Sequence, residues 1–151
     1  MRGVLSSLAV AVALAGCGSD GGAGKANSYV HAVNRAQAGF ASGVRQLSGR
    51  IGAGSGAADR RVLRSFESAV TRVVGDLRRI TPPDRVAALH RRLVGQMDAY
   101  GRRVRRETSV LRANDAGRLV AVQQRLLVAT SRVSGQVNAT IDSINRALRK
   151  G

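Results

Sequence analysis

Tryptophan is absent from this chain, phenylalanine and tyrosine occur twice each, and cysteine occurs once. With aromatics at 3%, the interior must be filled by Val, Leu, Ile and Ala. The same scarcity excludes the interleaved rings on which single-strand nucleic-acid binders stack bases. A lone cysteine excludes an internal disulfide and a cysteine metal cluster. The two prolines are adjacent, Pro82 and Pro83, so long stretches are free to be helical. Acid is scarce as well: 9 Asp and Glu stand against 25 Lys and Arg, for a formal charge of +16. Such a balance favours anionic partners, whether nucleic acid, acidic lipid headgroups or envelope polymers.

What is present suits one compact domain with accessory segments: 151 residues, 44% of them apolar. All the basic residues except Lys25 and Lys150 are arginine. Usage rich in Arg, Ala, Gly and Val is also the codon signature of a GC-rich bacterial genome, which accounts for part of the arginine count without any binding role.

The chain opens on Met1-Arg2, a minimal positive region, followed by the apolar segment Val4 to Ala15, which is broken only by Ser6-Ser7. Spanning a bilayer takes roughly 20 apolar residues, so this segment is too short and fits the hydrophobic region of a secretory signal. It ends in Leu14-Ala15-Gly16-Cys17, which resembles the lipobox of bacterial lipoproteins. The resemblance implies cleavage between Gly16 and Cys17, a diacylglyceryl group on the Cys17 sulfur with palmitate-type chains, and Cys17 as the mature N-terminus. Each buried methylene contributes about 0.8 kcal/mol, so two or more chains hold stably where one is marginal. Residue 18 is Gly, so the Asp that retains some lipoproteins at an inner membrane is missing. In a one-membrane actinobacterium, the source to which the composition points, the anchor would lie in the outer face of the plasma membrane. Residues 1–16 thus read as signal, 17–27 ("CGSDGGAGKAN") as lipidated Cys and Gly-rich tether, and 28–151 as the folded domain. A tether of this length reaches about 17 Å.

From residue 29 the pattern changes. Tyr29, Val33, Ala36, Phe40, Val44, Leu47 and Ile51 step by threes and fours, which keeps one helical face apolar. "GAGSG", 52–56, interrupts, and Val62, Phe66, Ala69, Val73, Leu77 and Ile80 make a second stripe. "TPP" at 81–83 ends it, with Thr81 placed to cap the next helix and Pro82 in its first turn. Val86, Leu89, Leu93, Met97, Tyr100, Val104 and Leu111 form the third stripe; Asn114 or Asp115 caps the next helix. The fourth stripe runs through Leu119, Val122, Leu126, Ala129, Val133, Val137, Ile141, Ile144 and Leu148. No window alternates apolar and polar residues over a strand's length. The fold class expected is all-α, an antiparallel up-down-up-down four-helix bundle, with a three-helix arrangement and a loose first helix as its rival. The general pattern is similar to that of helical lipoprotein domains of high-GC actinobacteria. Gly39, Gly43, Gly75, Gly95, Gly101 and Gly135 fall inside these helices, each costing about 1 kcal/mol against Ala unless helices approach closely there.

Constellations for chemistry are few. A di-metal bundle needs Glu on two helices and Glu-x-x-His on two more; neither His of this chain follows a Glu by three. Glu107 flanks its stripe and Glu67 projects to the polar face. His90 and Met97 lie inward but on one helix, and no Cys-x-x-Cys-His is present, so haem is not expected. "GAGSG" lacks the Lys-Ser/Thr ending of a phosphate loop. "NAT", 138–140, matches a glycosylation sequon inside a helix. No catalytic residues, cofactor or metal are therefore expected, and the chain does not read as an enzyme. His90, at the edge of the inner stripe, reads first as an imidazole hydrogen-bonded to a Tyr or a backbone group, its pKa lowered by burial. Its alternative reading is a ligand pocket lined by His90, Met97 and Tyr100. His31 falls on the polar face.

The arginines are organised. "RRVRR" (Arg102, Arg103, Arg105, Arg106) follows Arg91 and Arg92, and Arg91, Arg102, Arg105 and Arg106 fall opposite the third stripe. Arg118, Arg125 and Arg132 recur every seven residues beside the fourth. One reading is a solvated face whose stems cover core edges, helped by i,i+4 pairs such as Arg103–Glu107. The other is an anion-binding surface for acidic lipid or an envelope polyanion; nucleic acid is the poorer fit outside a cell. Taken together these features point to a lipid-anchored, non-catalytic binding or accessory module at the cell envelope.

Overall fold

A computed structural model describes residues 22–50, 56–109 and 116–150. Residues 1–16, expected to form a signal segment, Cys17 and residues 18–21 lie outside them, as do Ile51, Leu111, Asn114 and Asp115. Four helices carry the described chain: α1 (Gly22–Arg50), α2 (Gly56–Arg79), α3 (Ala87–Ser109) and α4 (Ala116–Arg149), with one 3-10 turn, Asp84–Val86, leading into α3. No strand occurs among the described residues. The helices share one apolar core as a four-helix bundle.

The fourth stripe is buried along its whole length, from Leu119 and Val122 to Ile144 and Leu148. So is the third from Val86 to Val104, except that Leu89 is half-buried. On α1, Tyr29, Val33, Ala36, Phe40 and Leu47 are buried and Val44 half-buried.

Three boundaries and faces differ from the sequence reading. First, α1 starts at Gly22, not at 28, so residues 22–27 are helix and not tether. Ala26 is buried and extends the stripe of Tyr29, Val30 and Val33 one turn back; this burial overrides the poor helix propensity of a Gly-rich segment. Second, Thr81 does not cap α3. Pro83 stands at the cap position with no side-chain bond, and Val86 N–H donates to the Pro83 carbonyl at 3.0 Å. A residue before proline is pushed out of helical backbone, so Pro82, which precedes Pro83, is excluded from the first turn.

Third, the buried face of α2 is broader than its predicted stripe. Leu63, Val70 and Val74 are buried, while Val62 and Ala69 are only half-buried. The reason is that α2 serves two neighbours. A Cβ built on Gly43 of α1 would lie 3.2 Å from the Ala69 Cβ and 3.7 Å from the Phe66 ring, whereas one on Gly101 of α3 would lie 3.5 Å from Val70. Gly43 is thus a point of close helix approach, tighter than ordinary van der Waals contact allows for a side chain.

Candidate functional site

Few polar groups lie inside the bundle; among the described residues His90, Thr130 and Thr140 are hydrogen-bonded there, whereas Asn138 Oδ1 is buried without a partner. His90, at the start of α3, is 5% exposed. Its Nε2 lies 3.0 Å from the Leu77 carbonyl and its Nδ1 3.2 Å from the Tyr29 hydroxyl. A carbonyl only accepts, so Nε2 carries the proton and donates to Leu77. Nδ1 of the neutral ring then accepts from Tyr29. Leu77 lies in the last turn of α2, where carbonyls lack helical N–H partners; its oxygen also accepts the Ile80 N–H at 3.2 Å. The imidazole therefore closes the end of α2, and the rings of Tyr29 and His90 meet edge-to-face at 5.6 Å.

Desolvation by burial pushes the His90 pKa below its ordinary 6.5, and the bond to Leu77 pulls it partly back. Burial likewise pushes the Tyr29 hydroxyl up to about 12. Because folding favours the neutral imidazole, its contribution is complete above the unfolded pKa and is lost as pH falls through that value toward the lower folded one. His90→Gln, which cannot titrate, is expected to flatten the loss of stability that sets in as pH falls from neutral through about 6.5 and below. Urea unfolding of both proteins across that range checks it; parallel curves would exclude His90 as the source.

Tyr100 and Met97 occupy other parts of the core. The Thr130 hydroxyl donates to the Leu126 carbonyl at 2.7 Å, so Tyr100 donates to Thr130 Oγ1, 2.5 Å away. Burial pushes the Tyr100 hydroxyl up to about 12, against the opposing pull of Thr130 and of the Arg103 charge. Phe40 and Phe66 meet the Tyr100 ring edge-on, at 5.9 and 6.4 Å. Met97 lines an apolar cavity with Phe40, Val73, Leu77, Leu93 and Val137, about 20 Å³ in volume. That is space for a single water, far from the several hundred Å³ of a small-molecule site. Neither His90 nor Tyr100 reaches this cavity, so it does not unite the three residues expected to form a pocket.

Outside the core the charges dominate. Arg91, Arg92, Arg102, Arg103, Arg105 and Arg106 are all exposed; Arg91, Arg102, Arg105 and Arg106 lie opposite the buried Leu93, Met97, Tyr100 and Val104, and Arg92 and Arg103 flank them. Arg102 is tied to Asp98, which also receives Arg78 of α2 at 2.8 Å. Glu107 pairs with Arg125 of α4 at 2.8 Å, and not with Arg103 as helix spacing suggested, because α4 lies alongside. Exposed pairs of this kind contribute at most about 1 kcal/mol each.

One surface feature was missed by the sequence reading. Between α2 and α3 lies a cleft of about 360 Å³ lined by Arg60, Leu63, Arg64, Glu67, Arg105, Thr108 and Ser109. Glu67 does not point to open solvent: it is half-buried and accepts the Thr108 hydroxyl at 2.6 Å. The signal in the sequence was the run Arg60, Arg61, Arg64 near the start of α2, where the positive end of a helix disfavours cations.

Among the described residues no group of three His, Cys, Asp or Glu is placed to hold a metal ion. No described helix is long and apolar enough to cross a membrane. Comparison with known protein families, curated proteins and solved structures finds no match.

Proposed function

We propose that the chain is an extracytoplasmic lipoprotein, held to the cell membrane by lipid on Cys17, whose bundle is a non-catalytic module that docks on anionic envelope surfaces through the basic side of α3. The observation that carries this reading is the set of four arginines, Arg91, Arg102, Arg105 and Arg106, exposed on α3 opposite its buried stripe. Clustered positive charge raises the local concentration of anionic partners and weakens as salt rises. A surface of headgroups or polymer phosphates presents a matching array of negative charge.

The bundle in this reading is up-down-up-down and antiparallel. Paired contacts support it, since their numbers run in opposite order along neighbouring helices. Gly39 faces Val73 and Gly43 faces Ala69 between α1 and α2. Leu77 meets His90 and Glu67 meets Thr108 between α2 and α3, and Gln96 meets Thr140 and Tyr100 meets Thr130 between α3 and α4.

Expressed in a bacterium with an intact lipoprotein pathway, the chain is expected in the detergent-extractable membrane fraction, and Cys17→Ser is expected to leave it. Purified Cys17→Ser protein should float with acidic vesicles at low salt, detach as salt is raised, and ignore neutral vesicles. Equal weak flotation with both kinds of vesicle would overturn the docking role; unchanged fractionation of Cys17→Ser would overturn the anchor.

A further inference from the structure

We propose that the α2–α3 cleft walled by Arg60, Arg64 and Arg105 is a discrete binding site for a phosphoryl group, free or on a lipid. This deepens the surface-docking reading: it names the chemistry recognised and adds α2 to a surface that otherwise belongs to α3.

The cleft holds three guanidinium groups and one carboxylate, Glu67, so its formal charge is +2. Elsewhere three acids pair with arginines: Asp76 with Arg79, Asp98 with Arg78 and Arg102, and Glu107 with Arg125. Arg64 and Arg105 have no ion pair among the described residues. Both are exposed and come from different helices, so they flank the cleft from two sides and are not a single row on one helix face.

The site has definite walls. Leu63, fully buried, forms its floor. The Thr108 hydroxyl holds the Glu67 carboxylate at 2.6 Å, which fixes the single acid on one wall. About 360 Å³ is within the usual range of small-molecule sites and far exceeds the core cavity beside Met97. Guanidinium forks match phosphate oxygens with paired N–H donors, a fit that neither a compact ammonium nor an uncharged hydroxyl reproduces.

The test is calorimetric titration of the full chain, carrying Cys17→Ser, with inorganic pyrophosphate at low salt. Binding is expected, and Arg64→Ala/Arg105→Ala should weaken it about tenfold or more, the loss of one good charged hydrogen-bonding partner. Arg146→Ala/Arg149→Ala removes the same charge from α4, outside the cleft and the basic side of α3, and should leave the affinity within about twofold, since only diffuse attraction changes. Circular dichroism confirms that each variant is folded. Absence of pyrophosphate binding, or equal losses from the two pairs, would overturn the site.

Flotation on vesicles containing phosphatidic acid then separates the sources. If Arg64→Ala/Arg105→Ala abolishes flotation together with pyrophosphate binding, the natural group is a lipid headgroup. If flotation survives while pyrophosphate binding is lost, the site takes a soluble phosphate, and the site stands either way. Tight pyrophosphate binding with no flotation of the wild type would defeat the surface-docking reading and leave the cleft intact.

Discussion

Replacing Leu126 by Ala is expected to cost about 2–5 kcal/mol of folding free energy. Leu126 has no solvent exposure, and its carbonyl receives the Thr130 hydroxyl that in turn takes the Tyr100 proton. Truncation removes apolar burial and leaves a void beneath that pair, and the void adds to the transfer loss to the extent that the helices fail to collapse on it. Two residues along α4, Val128 is 62% exposed, and Val128→Ala should change stability by no more than about 0.5 kcal/mol. Urea unfolding of both variants checks the pair. Similar losses at the two positions would mean that α4 faces the core differently from the arrangement described.

The opposite sign is expected at three glycines. A Cβ placed on Gly75, Gly95 or Gly135 meets no atom within 4 Å. These sites lie in α2, α3 and α4, away from helix ends. Ala there should add about 0.5–1 kcal/mol each, since Gly in a helix loses more conformational freedom on folding. On separate helices the three gains should nearly add, giving about 1.5–3 kcal/mol and a rise in Tm of roughly 5–10 °C. Gly43→Val is the contrasting variant. Its Cβ would start 3.2 Å from Ala69, and overpacking of that kind costs about 1–3 kcal/mol. Thermal unfolding decides: a triple variant no more stable than the parent would show that the three sites are closed.

How much of this was legible in advance depended on how many neighbours each element has. The stripe of α4 faces a single core and was readable residue by residue from Leu119 to Leu148. Helix α2 lies between two helices, so its buried surface takes in Leu63, Val70 and Val74 beyond any one stripe. Single-face periodicity underestimates such an element. The start of α1 was hidden by composition, because Gly22, Gly24 and Asn27 read as linker until Ala26 is seen buried. His90 was readable as a bonded imidazole because it borders an apolar stripe in a chain with only two tyrosines to meet. The basic cleft was not. Arg64 and Arg105 are distant in sequence, and only packing of α2 on α3 brings them to one hollow.

The bond chain Tyr29–His90–Leu77 has a consequence for alignment. Helix α1 offers an apolar side chain at almost every turn, and much of its contact surface is Val and Ala. A slide of one turn, about 5.4 Å, would still seat methyl groups against methyl groups. Hydrophobic burial alone therefore distinguishes poorly between neighbouring registers. Shifted by a turn, however, α1 would present Val33 where Tyr29 belongs, and Nδ1 of His90 would lose its donor. A buried acceptor left without a partner costs about 1–3 kcal/mol. The same slide would bring Leu47 to the place of Gly43, where even a Cβ would lie 3.2 Å from Ala69. One hydroxyl and one bare backbone position thus act together as keyways on an otherwise smooth shaft.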